Sequence, residues 1–425
     1  MQFEYQLDVP EDYRRSLAIG WLWLAILTLL GAGIFSVLLV LARTPLIGEL
    51  IPFTDFFHTA LVIHVNLSSL VWILSFASVM WCLNSRSIYP WFAKAIYFIV
   101  LLGTLMISLS PFLGSANPLM SNYIPVLDDP LFLTGLIVFG IGIGLQVVFS
   151  MSTMFKVGEA VSGQAVIRFG LNCAAIGTFM ALAAFIWSYA ALPDQLDNAL
   201  YYEVLFWGGG HILQFTYTLL MMVAWLWLSS SAGISLPISP RVALFLFGLG
   251  LISIFMTPLI YYEYEITDVL FRQRFTMLMS FGGSLAIFPL SVATLFALFQ
   301  NKTASAKASS AHAALLTSLL LFGVGGMIGF MIDGNNVRIP AHYHGCIVGV
   351  SLALMGLSYQ LLPALGFNKV NFELSKIQLW IYGLGQFLHI VGLVWSGGYG
   401  VQRKVAGAAQ GLDSFERIAG MGLMG

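Results

Sequence analysis

Ala341-His342-Tyr343-His344-Gly345 opens an apolar stretch running over roughly 340–365, and its reading decides the fold. Histidine is costly in an apolar helix unless something binds it, so two of them in the first turns of such a stretch read as metal ligands. Residues i and i+2 of a helix point about 200° apart at 3.6 residues per turn. His342 and His344 therefore cannot serve one metal from one face, and the spacing predicts two cofactors, one on each side of the helix. Among the seven histidines of the chain, those worth pairing with them are His58 and His64 of Phe57-His58-Thr59-Ala60-Leu61-Val62-Ile63-His64, and His211 of Trp207-Gly208-Gly209-Gly210-His211.

The rest of the chain is as apolar as that stretch. Of 425 residues 59% are hydrophobic and 9% charged, and the mean hydropathy is +0.89, values that exclude an ordinary soluble domain. Stretches long enough to cross a hydrocarbon core of about 30 Å fall near 17–41, 57–83, 93–114, 131–155, 166–190, 201–228, 242–264, 271–299, 313–332, 340–365 and 376–398. The expected fold class is an all-α, polytopic transmembrane helix bundle of about 11–12 spans, with residues 1–425 as a single membrane domain. Ile418 to Gly425 has the composition of a twelfth span cut short after one or two turns.

A net charge of −1 offers no basic face for a nucleic-acid partner. With the N-terminus in the cytoplasm, the cytoplasmic connections carry Arg14, Arg15, Arg86, Lys94, Lys156, Arg168, Arg241, Lys302, Lys307, Lys369 and Lys376, as the positive-inside rule asks. The first apolar stretch is too long for a cleavable signal and follows sixteen polar-rich residues, so it reads as a retained span. Cys82, Cys173 and Cys346 sit in separate spans without CxxC spacing and read as small core residues.

This topology puts the histidines in one layer of the outer half. At 1.5 Å per residue, His64 lies about 10 Å into span two, His211 about 15 Å into span six, and His344 a little over one turn into span ten. Two facing imidazoles at one depth are what a six-coordinate haem needs. The blander readings suit the other histidines better than His64 and His344: His58 reads as interfacial, and His312 and His389 as satisfied or interfacial. The three glycines before His211 let a planar ligand or a helix approach closely. Span seven ends at the same layer in Tyr261-Tyr262-Glu263-Tyr264-Glu265, and a carboxylate there is either a functional group or an interfacial one. Pro258 is expected to loosen the helix before it. After span eleven, Arg403 and Lys404 break the charge trend, which an anion nearby would explain.

These residues resemble subunit I of the haem-copper oxidase superfamily, closest to the short B-type cytochrome oxidases. Ala341-His342-Tyr343-His344 followed by Leu361-Leu362-Pro363 is similar to the His-aromatic-His helix of that family. The resemblance implies that His64 and His344 bind a low-spin haem, that His342 is the proximal ligand of a high-spin haem, and that His211 binds a distal copper or iron. It implies that Arg403 and Lys404 contact haem propionates. It further implies an electron-donating partner, a cytochrome c or a cupredoxin-like subunit II, and residence in a bacterial or archaeal cytoplasmic (inner) membrane.

The departures lie on the distal side. Where the family has a Thr-Pro turn followed by a histidine pair, this chain has Thr257-Pro258-Leu259-Ile260-Tyr261-Tyr262-Glu263, so Tyr262 and Glu263 stand in the histidine positions. Phe215 stands where oxygen reductases often carry a tyrosine. Two functions follow. One is a respiratory-chain redox enzyme reducing a small gaseous oxidant, oxygen or nitric oxide, with His211, Tyr262 and Glu263 lining the distal pocket. The other is a non-catalytic dihaem electron-transfer subunit that has lost the copper site.

Overall fold

In lipid, every backbone polar group must find its partner within its own segment, which makes a helix the available form for long apolar stretches like these. The computed structural model describes residues 3–47, 56–113, 117–158, 161–300, 305–367 and 370–425. Lys302, Lys369 and the first four residues of the 301–310 loop lie outside the described residues. Among the described residues eleven helices are long and apolar enough to cross a membrane. They are α1 (Tyr13–Arg43), α2 (Phe57–Leu83), α3 (Pro90–Leu113), α4 (Pro130–Thr153), α5 (Gly163–Ala191), α6 (Asn198–Ser231), α7 (Pro240–Glu263), α8 (Val269–Gln300), α9 (Ala306–Phe330), α10 (Arg338–Leu361) and α11 (Phe372–Gly398). A shorter α12 (Phe415–Met424) follows.

Local chemistry sets several boundaries. Asp12 caps α1, its carboxylate accepting from the Arg14 amide at 2.9 Å and pairing with the Arg14 guanidinium at 2.8 Å, and that guanidinium lowers the Asp12 carboxyl to about 2. In α7 the helix stops at Ile254 and resumes at Thr257. Pro258 explains the break: it lacks an N–H, and its ring crowds the carbonyl four residues back, that of Ile254. In α2, six residues of π-helix, Asn66–Val71, follow directly on the outer segment that carries His64.

The most apolar-contacted helix is α6, 94% buried over its most apolar window, followed by α2 and α10 at 72% each; α11 at 28% lies at the edge. Peripheral helices turn leucines and aromatics outward, as Trp23, Leu27, Leu30 and Ile34 of α1 do, a stripe at helical spacing suited to lipid. The central helices are pinned by polar links: the Trp72 indole donates to Ser351 at 3.1 Å, joining α2 to α10, and the Trp225 indole donates to Ser318 at 2.8 Å, joining α6 to α9. Close approach of α9 and α10 depends on glycine, because a Cβ on Gly345 would lie 2.5 Å from the Gly325 Cα. One core cluster runs through the bundle from Tyr5 to Met424.

Between α3 and α4 the chain forms a small hairpin that sequence pattern did not announce. Its strands β1 (Pro118–Leu119) and β2 (Val126–Leu127) pair antiparallel, Pro118 with Leu127 and Leu119 with Val126. Residues 120–125 form its tip.

Candidate functional site

The four histidines of the sequence argument all gather at the end of the bundle where α2, α6 and α10 begin, but they do so in different company. His342 and His344 face different neighbours, as their 200° separation requires. The His342 imidazole is 2.7 Å from the Gly325 carbonyl of α9 through Nδ1, and Gly329 leaves room for the ring, since a Cβ there would come within 2.8 Å of Nδ1. His344 is 2.8 Å from the Pro340 carbonyl through Nδ1, and its ring lies 4.8 Å from that of His389 on α11. His64 is bonded through Nδ1 to the Ala32 carbonyl of α1 at 2.9 Å and lies within electrostatic reach of His344.

A carbonyl oxygen can only accept, so in each of these bonds Nδ1 carries the hydrogen. The neutral ring then keeps its lone pair on Nε2. That is the arrangement of a metal-ligating histidine, whose second nitrogen is anchored to a backbone carbonyl. All three side chains are only half-buried, although α2 and α10 are among the most buried helices. The donor set of His64, His344 and His342 therefore fits axial ligation of haem iron.

His211 differs. It is buried, 3% exposed, and its Nδ1 is 2.8 Å from the Trp207 carbonyl, which again places the hydrogen on Nδ1. Its Nε2, however, is already engaged, 2.9 Å from the Tyr123 hydroxyl at the hairpin tip. The tyrosine donates and the imidazole accepts. Burial lifts the Tyr123 phenol well above its ordinary range, so it is a neutral donor. Around the pair stand Trp207, its ring 5.7 Å from that of Tyr123, and Phe275, 5.8 Å from His211. The three glycines before His211 each accept an aromatic ring. A Cβ would lie 2.3 Å from the Tyr261 hydroxyl at Gly208, from Phe185 at Gly209, and from Tyr123 at Gly210.

The expected distal pair is placed elsewhere. Tyr262 is 89% exposed, and Glu263 is exposed with its carboxylate accepting from Tyr264 at 2.9 Å. Neither lines the His211 pocket. Tyr261 turns inward instead, its hydroxyl 2.7 Å from Ser188 and 3.0 Å from the Ala184 carbonyl. The physical reason is helical phase: the buried face of α7 runs through Ala243, Phe247, Gly250, Ile254 and Thr257 and comes round to Tyr261, which leaves Tyr262 and Glu263 about 100° and 200° away from it. A distal copper or iron thus finds His211 with its lone pair taken and no second imidazole, and among the described residues no cluster of three histidine, cysteine, aspartate or glutamate side chains is placed to hold a metal. The residues present fit haem and do not fit a distal metal.

The cations beyond α11 are also engaged. The Lys404 ammonium donates to the Met120 and Ser121 carbonyls of the hairpin at 2.8 and 3.3 Å, and burial, with Arg403 beside it, lowers it to about 8. Arg403 bonds Asn335 and reaches the Tyr343 hydroxyl. His58 donates to the Lys404 carbonyl at 2.9 Å, which makes it a brace between α2 and the segment after α11. His389 is bonded through Nδ1 to the Met424 carbonyl at 2.9 Å, yet its ring contact with His344 was missed. So were Tyr123, Glu203, whose carboxylate accepts from the Asn122 amide at 2.8 Å, and Arg43, which ends α1 beside Gln410 and Gln402. Arg43 was visible as a lone cation at the outer end of a span; Tyr123 and Glu203 gave no such signal.

Residues 16–424 match the sequence model of the family described as cytochrome c and quinol oxidase polypeptide I. The chain belongs to that family. Polypeptide I relatives among curated proteins include an uncharacterised protein of Rickettsia prowazekii, 29% identical with 98% of this chain and 93% of that protein covered. An uncharacterised protein of Aquifex aeolicus is 28% identical over 85% of this chain and 88% of its own. The cytochrome c oxidase subunit 1 of Thermus thermophilus is 24% identical over 88% of this chain and 73% of its own. As a polypeptide I homologue, the chain is an integral membrane protein of oxidoreductase type.

Proposed function

We propose that this chain is a dihaem membrane oxidoreductase that passes electrons from a partner cytochrome c or cupredoxin-like subunit through a low-spin haem to a second haem, where oxygen or nitric oxide is reduced. His64 and His344 would hold the low-spin haem, and His342 would hold the second. The observation that carries this reading is the shared tautomer of the three rings, each with Nδ1–H on a carbonyl and the Nε2 lone pair directed away from it. Haems held there would supply one-electron transfer and, at the second, reduction of a small ligand. The Ala32, Gly325 and Pro340 carbonyls hold the ring planes and fix the hydrogen on Nδ1. Arg403 and Lys404 offer positive charge toward propionates, although Lys404 divides its hydrogen bonds with the hairpin. The chain lies in a bacterial or archaeal cytoplasmic membrane with its N-terminus in the cytoplasm, and residues 1–425 act as one membrane domain.

A second reading, a dihaem electron conduit without catalysis, is favoured by the outward placement of Tyr262 and Glu263. A dithionite-reduced absorption spectrum with and without carbon monoxide separates the two. A shift in about half of the haem supports an open second iron and the reductase, whereas a haem spectrum indifferent to carbon monoxide supports the conduit. A purified protein without haem overturns both.

A further inference from the structure

We propose that Tyr123 occupies the coordination position of His211, so that the pocket around this pair is built to hydrogen-bond a small ligand on the second haem and not to hold a second metal ion. The inference rests on the reading that His342 holds that haem. The tautomer argument is direct: Nδ1–H is spent on the Trp207 carbonyl, and the one remaining lone pair of the imidazole accepts from Tyr123 at 2.9 Å. A metal at His211 would have to evict the phenol.

The phenol is fixed from four sides. Its ring rests on Gly210, where any side chain would collide with it. Glu203 accepts from the amide of Asn122, the residue before it. Lys404 holds the Met120 and Ser121 carbonyls, and the Asn66 amide of α2 donates to the Pro125 carbonyl at 2.7 Å. The elements that pin the hairpin are thus α2, α6 and the segment after α11. A metal that displaced Tyr123 would gain only one imidazole: Tyr261 is committed to Ser188 and Ala184, and Tyr262 and Glu263 face outward. Such a donor set binds copper or iron weakly.

What the pair offers instead is a hydroxyl with one proton and two acceptor sites. Turned to His211 it presents oxygen lone pairs to the pocket; turned to a bound diatomic it donates its proton to that ligand, while His211 Nε2 becomes free to accept. No bond is made or broken in that exchange beyond the hydrogen bonds themselves.

The test uses the purified haem-loaded chain from cells grown with ample copper and iron. Metals are counted per chain beside the haem count, in the wild type and in His211→Ala, and the infrared band of the carbon monoxide adduct is recorded for wild type and Tyr123→Phe. The expected result is iron equal to haem, no copper, no change of metal content in His211→Ala, and a displaced carbon monoxide band in Tyr123→Phe with the low-spin spectrum intact. One equivalent of non-haem metal that His211→Ala removes would overturn the proposal, as would a band that Tyr123→Phe leaves in place. If the wild type forms no carbon monoxide adduct, the reading of His342 fails, and the metal count still decides whether His211 is a metal ligand.

Discussion

Gly210 shows how much one hydrogen atom in place of a methyl group decides. A Cβ at that position would meet the Tyr123 ring at 2.3 Å, so Gly210→Ala must push the hairpin tip off His211. Overpacking of this kind costs about 1–3 kcal/mol; the expected outcome is a lower Tm in detergent and the same carbon monoxide band shift as Tyr123→Phe. His64→Ala and His344→Ala should each abolish the low-spin haem spectrum, and an unchanged spectrum in either would remove that residue from the ligand set. The histidines were legible in the sequence because an imidazole in an apolar helix must be bound to something, and their spacing alone told His342 from His344. Tyr123 was not. It sits in a short connection without periodicity, and a tyrosine there reads as an ordinary interfacial residue until the chain folds it under.

At the scale of elements, two irregularities position the site. The break at Phe255–Met256 was foreseen from Pro258, yet the inward face of α7 keeps its spacing across it, from Gly250 through Ile254 and Thr257 to Tyr261; the expectation that Tyr262 and Glu263 line the pocket came from the family resemblance and not from helical spacing. The glycine contact between α9 and α10 is the second device. Gly345→Ala places a methyl group 2.5 Å from the Gly325 Cα, which must part the helices and draw the Gly325 carbonyl from His342. We expect about 1–3 kcal/mol of lost stability together with diminished carbon monoxide binding, and a full carbon monoxide signal in a folded variant would show that this anchor is dispensable. Eleven spans were readable from apolar length because lipid enforces it; the β-hairpin, with two residues per strand, lies below any pattern that a sequence can display.

For the molecule as a whole, the buried ammonium of Lys404 ties stability to pH. Its folded value, about 8, lies below the 10.5 of the free group, so the folded state binds that proton less tightly than the unfolded chain does. The penalty is complete below about pH 8 and is relieved as pH rises from about 8 to 10.5. Relative to Lys404→Gln, the wild type should therefore gain thermal stability across that window; a constant difference in Tm would mean that Lys404 is solvated. The seven steps along the chain from Phe57 to His64, against nineteen from His64 to Leu83, set the site at roughly a quarter of the length of α2. An electron arriving from the nearer face crosses about that fraction of any transmembrane field. A potential of 100 mV acts on one full charge with about 2.3 kcal/mol, so it would bias reduction of a haem on His64 by roughly 0.6 kcal/mol. In sealed vesicles, the apparent midpoint of that haem should drift by about a quarter of the imposed voltage, which makes the depth of one histidine readable as an electrical quantity.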